Sequence, residues 1–244
     1  MAELGYDNNG WRQIENQLSG HLPSTMGCTL PNLERLTLSH NKLSGTIPNS
    51  IINASKLITL NLGYNYFSGL IPNTFGNLRF LNWLSPVQNY LMTKLSNFSA
   101  SLQEFNAYGC ELKGSIPQEI GNLSGLIVLN LFNNDLIGTI PKTVGGLQQL
   151  QGLDLFGNNL QGSIPYDLCN LKRLYSLLLQ GLEGEIPIKG PFRNFSTQSC
   201  FGNYALCSPP ILQVPPCKED NGEGTEKAIV LVLKYILPRL YPSF

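Results

Sequence analysis

Charge is scarce in this chain. Asp, Glu, Lys and Arg supply 13% of its 244 residues, and 16 basic side chains balance 16 acidic ones. No net field exists to gather nucleic acid or another polyanion, so neither is expected as a partner. Histidine is scarcer still, with only His21 and His40. Neither stands near a plausible nucleophile, so no Ser-His-Asp or Cys-His arrangement can be assembled, and His40 reads as an ordinary surface residue. The six cysteines, at 28, 110, 169, 200, 207 and 217, show no C-x-x-C spacing and no neighbouring histidine, which argues against a zinc site. The acidic stretch from Asp220 to Glu226 lacks calcium-loop spacing and reads as a solvated linker. No metal, no cofactor and no catalytic residue are expected.

Long apolar runs are also missing. The stretch AIVLVLKYILPRLYPSF (228–244) is interrupted by Lys234, Pro238 and Arg239, and it falls short of the roughly 20 residues a spanning helix needs. The opening residues MAELGYDNNGW have no basic segment followed by an apolar one, so no secretory leader is read there.

Asparagine is what the chain has in excess, with 25 in all, beside 24 Gly and 16 Pro. Their placement is periodic. Six segments align on a first leucine: LERLTLSHNKLSGTIP (33), LITLNLGYNYFSGLIP (57), LNWLSPVQNYL (81), LQEFNAYGCELKGSIP (102), LIVLNLFNNDLIGTIP (126) and LQGLDLFGNNLQGSIP (150). A seventh begins at Leu174, and every start follows the last by 24 residues except the fourth, which follows by 21. The consensus L-x-x-L-x-L-x-x-N-x-L-x-G-x-I-P is that of a leucine-rich repeat. It predicts an α/β repeat solenoid of six to seven coils, a right-handed superhelix with a parallel sheet on its concave face.

Each consensus position has a physical task. The L-x-x-L-x-L run is a short strand whose alternate leucines point inward. The ninth residue (Asn41, Asn65, Asn89, Asn134, Asn158) stands where the chain bends away, and its amide can satisfy buried backbone groups of adjacent coils. Cys110 takes that place in the fourth coil. The Gly supplies backbone freedom and the Pro stops helix propagation. No coil buries its leucines alone, so each depends on its neighbours.

The pattern also breaks. The third coil lacks the G-x-I-P element and places Pro86 in its predicted strand, making 81–101 irregular. The seventh is shortened at 180–182 and has no ladder Asn. Residues 1–32 hold only a partial coil, NQLSGHLPSTM (16–26), with no recognisable leucine strand and no polar cap. A non-functional fragment is one reading, and it predicts stepwise unfolding that splits near residue 90.

Positions 3, 5, 7 and 8 of each strand segment point away from the leucines. Position 7 reads Tyr108, Phe132, Phe156 in three successive coils, and position 5 reads Asn106, Asn130, Asp154. An aromatic row beside amides and a carboxylate suits an extended peptide; stacked aromatics also stabilise neighbouring strands. Cys110 and Cys169 occupy core-facing positions and are expected as buried free thiols. Four N-x-S/T sequons stand at Asn53, Asn97, Asn122 and Asn194, no more than this composition gives by chance. Three of them share one place in the coil.

The G-x-I-P repeat resembles the plant extracellular class, and the segment GEIPIKGPFRNFSTQSCFGNYALCSPPILQVPPC (184–217) resembles the C-terminal cap of plant leucine-rich-repeat receptor-like serine/threonine kinases of the immune-receptor-like subgroup. The resemblance implies a Cys207–Cys217 disulfide, a cap over 188–217, an acidic spacer over 218–227 and the start of a truncated membrane segment over 228–244. The repeats proper then run over 33–187. It further implies a shortened receptor ectodomain on the extracellular side of the plasma membrane. Such a module binds a peptide or protein ligand, with defence as one role, pairs with a co-receptor kinase, and carries glycan on its sequons. The family's kinase motifs are missing from this chain, and Asp154–Gly157 only ends a strand, so phosphoryl transfer is not expected of it. An alternative is a secreted inhibitor or decoy resembling the proteins that block microbial polygalacturonases.

Overall fold

The L-x-x-L-x-L runs become three-residue strands, because alternate leucines need a pleated backbone to reach one interior side by side. The computed structural model describes residues 17–92, 98–194, 203, 205–208 and 216–217. In chain order its strands are β1 (Ser19–His21), β2 (Arg35–Thr37), β3 (Lys42–Gly45), β4 (Thr59–Asn61), β5 (Tyr66–Leu70), β6 (Trp83–Ser85), β7 (Tyr90–Met92) and β8 (Glu104–Asn106). They continue as β9 (Lys113–Ser115), β10 (Val128–Asn130), β11 (Asp135–Gly138), β12 (Gly152–Asp154), β13 (Asn159–Leu160), β14 (Ser176–Leu178), β15 (Glu183–Glu185) and β16 (Ala205–Cys207).

The even-numbered strands from β2 to β14 form one seven-stranded parallel sheet, each pairing with the strands of the coils before and after it. Its register places Leu36, Leu60, Leu84, Phe105, Leu129, Leu153 and Leu177 in one inward row. From Leu60 onward this row is buried. In the first coil Leu33, Leu36 and Leu38 are only half-buried, whereas their counterparts Leu57, Leu60 and Leu62 are fully buried.

A second set of strands goes beyond the sequence expectation. The segment after the ladder Asn forms the outer strands β1, β3, β5 and β7 in one parallel sheet and β9, β11 and β13 in another, with β15 paired to β16. The consensus Gly ends or lies within these strands at φ near +80° (Gly45 +78°, Gly69 +79°, Gly138 +80°), a conformation that disfavours any residue with a Cβ. The partial first coil contributes β1, so it is structured even without a leucine strand.

The third layer is 3-10 rather than α. Pro48, Pro72, Pro117, Pro141 and Pro165 each precede a five-residue 3-10 turn that buries one large apolar side chain: Ile51, Phe75, Ile120, Val144 and Leu168. Five residues are too few to repay α-helix nucleation, and the Pro presets the entry. Adjacent turns stack so closely that a Cβ on Gly145 would stand 2.4 Å from the Asp167 carbonyl oxygen. The α-helix of the described residues is the single turn Met26–Thr29.

The ladder asparagines join the coils at the bend. Asn134 Nδ2 donates to Ala107 O (2.9 Å) in the preceding coil and Leu131 O (2.9 Å) in its own, while Oδ1 accepts from Cys110 N and Leu112 N, both at 3.0 Å. Asn65, Asn89 and Asn158 donate in the same way and each accept one amide, from Leu43 N, Phe67 N and Leu136 N, and Asn41 receives Leu18 N (3.0 Å). The seventh coil has no such Asn of its own. Asn203, from the cap segment, supplies the bonds instead: Oδ1 accepts from Leu182 N (3.0 Å) and Nδ2 donates to Leu179 O (2.7 Å).

The irregular third coil has a specific cost. Pro86 lies just past β6 rather than inside it, so β6 still pairs with both β4 and β8, and the concave sheet is continuous. The outer sheet is not. Outer strands begin at the tenth position in coils one, two, three, five and six, but β9 begins at the twelfth. Cys110 occupies the ladder place there and donates only a thiol, to Pro86 O at 3.3 Å, and Glu111 takes a left-handed φ of 57°. β7 and β9 therefore do not pair, and the outer strands fall into three groups, β1 to β7, β9 to β13, and β15 with β16.

Replacing Asn134 with Ala takes the side-chain partner from Cys110 N, Leu112 N and Ala107 O, while Leu131 O keeps its bond from Asn158 Nδ2. Unfolding in urea is expected to show a loss of about 3 kcal/mol. Asn158→Ala, at a half-buried rung, should cost clearly less. Equal losses, or none at Asn134, would show that the ladder does not hold the coils together.

Candidate ligand-binding face

The concave sheet presents its aromatic residues as a row. Tyr108, Phe132 and Phe156 stand in successive coils with ring centroids 6.3 and 6.2 Å apart, the second pair nearly parallel at 23°. Phe132 is exposed and the other two are half-buried. The row extends further than position 7 alone indicates. Tyr64 meets Tyr108 edge-on at 6.4 Å, and His40 stacks on Tyr64 at 4.3 Å and 21°. His40 is thus a member of the row rather than an ordinary surface residue.

The two additional rings come from position 8. There His40 (φ 59°), Tyr64 (55°), Gln88 (50°) and Asn133 (54°) are all left-handed, while coils four and six place Gly109 and Gly157. A large side chain at position 8, alternating with glycine at the same place in later coils, is the signal that could have revealed it. Across the irregular third coil, where positions 7 and 8 are Val87 and Gln88, the hydroxyls of Tyr64 and Tyr108 share a hydrogen bond. Burial, together with that bond, pushes the Tyr108 hydroxyl up to about 12.

Position 5 serves the backbone first. Asn130 Oδ1 accepts from Phe132 N (3.0 Å) and Asp154 Oδ1 from Phe156 N (3.1 Å), as Asn61 Oδ1 does from Gly63 N (3.1 Å). These bonds set the turn on which each aromatic ring is carried. Asn106 Oδ1 is buried with no partner. Position 3 adds a pair the sequence reading passed over: Trp83 Nε1 donates to Glu104 Oε2 at 2.8 Å on the same face.

The remaining sequence candidates lie elsewhere. Asn53, Asn122 and Asn194 are exposed, and each is the last residue of a 3-10 turn, so Asn194 shares the coil position of the others; Asn97 lies outside the described residues. Cys207 and Cys217 are joined in a disulfide, and β16 pairs with β15 at the end of the array. Cys110 is a buried free thiol that burial pushes up to about 12, whereas Cys169 is only half-buried; Cys28 is free and exposed. Cys200, the spacer (218–227) and the apolar segment (228–244) lie outside the described residues. Among the described residues no helix is long and apolar enough to cross a membrane, and no group of His, Cys, Asp or Glu could hold a metal ion.

Asp154 has its carboxyl raised above the usual range by burial, partly offset by the Phe156 N–H. Its folded pKa therefore exceeds the unfolded one, so stability is full below the unfolded pKa and falls as pH rises through the window between the two. Asp154→Asn, which matches Asn106 and Asn130, is expected to raise Tm at about pH 7 and to leave it unchanged at about pH 3. A lower Tm at neutral pH would contradict this.

Leucine-rich-repeat family models match residues 31–91 and then 101–123, 125–147 and 149–171, together just over half of the chain. Among the curated proteins no relative matches. Solved structures do. The Arabidopsis receptor kinase HAESA, in complex with the peptide hormone IDA and the co-receptor SERK1, is 37% identical with a TM-score of 0.70 over 80% of this chain and 33% of its own. The plant peptide hormone receptor RGFR1, in complex with RGF2, is 36% identical with a TM-score of 0.66 over 80% and 30%. PEPR1 with AtPEP1 is 32% identical with a TM-score of 0.65 over 79% and 26%. The chain thus spans a quarter to a third of the length of these receptor chains. By its repeats, its register and these matches, the chain belongs to the leucine-rich-repeat family.

Proposed function

We propose that the concave face binds an extended peptide or protein segment, and that the chain is the recognition part of a receptor-like kinase on the extracellular side of the plasma membrane. One observation carries the reading: five rings, His40, Tyr64, Tyr108, Phe132 and Phe156, each meet the next along six coils, Tyr64 reaching Tyr108 across the third, which contributes no ring. At the ~4.8 Å spacing of neighbouring strands the row covers about 24 Å, the length of about seven extended residues. Ring faces and edges offer apolar anchorage at low entropy cost, because each aromatic side chain has few rotamers to lose. Support comes also from the likeness to receptors solved with peptide hormones. In this reading a co-receptor kinase joins the bound complex, the response serves defence, and the exposed Asn53, Asn122 and Asn194 carry glycan away from the sheet.

The test is selection of random extended peptides displayed on phage against the wild-type chain, with Phe132→Ala and Phe156→Ala as counter-targets. Peptides rich in apolar residues should be enriched and should bind the variants at least about tenfold more weakly, which is about 1.4 kcal/mol. The variants should keep a Tm within a few degrees of wild type. If instead Tm falls sharply and peptide binding is unchanged, the row is a stabilising ladder and the proposal fails.

A further inference from the structure

The break between β7 and β9 leaves a notch on the flank of the solenoid, beside the ladder asparagines. A cavity of about 350 Å³ opens there, lined by Tyr64, Tyr66, Tyr90, Gln88 and Glu111 together with ladder residues. It exists for a local reason. In the regular coils the outer strand starts beside the ladder Asn and its neighbour pairs with it; here β9 starts two residues late and Glu111 stands in the turn instead.

The lining has a chemical character. Tyr66 and Tyr90 hold their rings nearly parallel, at 13° and 6.5 Å between centroids, and each leaves about half of its surface exposed (52% and 51%). Glu111 is exposed at the same cavity, and among the described residues no lysine or arginine lines it. A second cavity of about 290 Å³ shares Gln88, Gly109 and Glu111 and adds Asp135. Asp135 has Lys113 opposite it in the register of β9 and β11; Glu111 precedes β9 and has no residue in that register. Tyrosine ring faces beside a carboxylate are complementary to a positive group.

We propose that this notch takes the guanidinium side chain of an arginine from a protein or peptide partner, as a second recognition point beside the concave row, with which it shares Tyr64. The guanidinium lies flat against the Tyr66 and Tyr90 rings and donates to the Glu111 carboxylate, a use of planarity that a lysine ammonium lacks. The remaining Tyr64 ring and the Gln88 amide close the sides of the site.

The probe is N-acetyl-arginine amide, titrated into the full chain with the tyrosine ring resonances followed by NMR. Neutral N-acetyl-citrulline amide and the corresponding lysine compound serve as comparisons. Saturable shifts at Tyr66 and Tyr90 are expected with a Kd on the order of 1 mM. Glu111→Gln and Tyr90→Ala should each weaken binding roughly fivefold. Phe132→Ala should leave it unchanged, which separates this site from the concave row. Absence of saturation, equal binding of citrulline or of the lysine compound, or insensitivity to Glu111→Gln would each overturn the proposal. So would loss of binding in Phe132→Ala.

Discussion

A chain that bends sharply at the end of a buried strand must do something with the amides and carbonyls left inside the bend. In this protein an asparagine side chain answers that demand, reaching the carbonyl of the preceding coil and its own while its oxygen receives an outer-strand amide, as Asn65 does. Without that exchange the leucines could not be brought to the interior, because burying them would bury unpaired backbone as well. The strict spacing of the repeat is a consequence. A residue gained or lost between the strand and the ladder Asn would shift the side chain off the carbonyl of the neighbouring coil.

The two sheets differ in how they tolerate error. The concave sheet is built from the leucine strands, and these are complete even in the third coil, so its register runs through unbroken. The outer strands depend on the residues at and just after the ladder position. There the third coil has lost residues and the fourth has a thiol in place of an amide, and there the sheet divides. The strand pairing beneath the aromatic row therefore continues across the defect, and Tyr64 and Tyr108 meet there.

Most of the architecture could be read from the sequence because it is periodic. Leucine spacing gave the strands, and Asn at the ninth place gave the bends. The outer strands were not legible: K-L-S-G has no alternation strong enough to mark a strand, and its pairing is decided by the neighbouring coil. Asn203 was missed for a related reason, since it reaches the ladder from a segment outside the repeat. At the candidate site, Tyr108, Phe132 and Phe156 were found because they recur at one position. Tyr64 and His40 were not, because a left-handed backbone at position 8 brings them into the row from a different register. The amides at position 5 were read as groups for a ligand, yet short-range geometry commits their oxygens at Asn130 and at Asp154 to the backbone.

The divided outer sheet has a mechanical consequence. A beam with two flanges resists bending through both of them, and this one keeps only its inner flange intact between the third and fourth coils. Among the described residues, fewer strand hydrogen bonds oppose opening or tightening of the arc there, and again between β13 and β15, than where the outer strands pair. A small change of angle at the third coil would alter the spacing of His40 and Tyr64 relative to Phe132 and Phe156. A rigid segment held along the row would fix that angle, and the protein would be stiffer with it than without it.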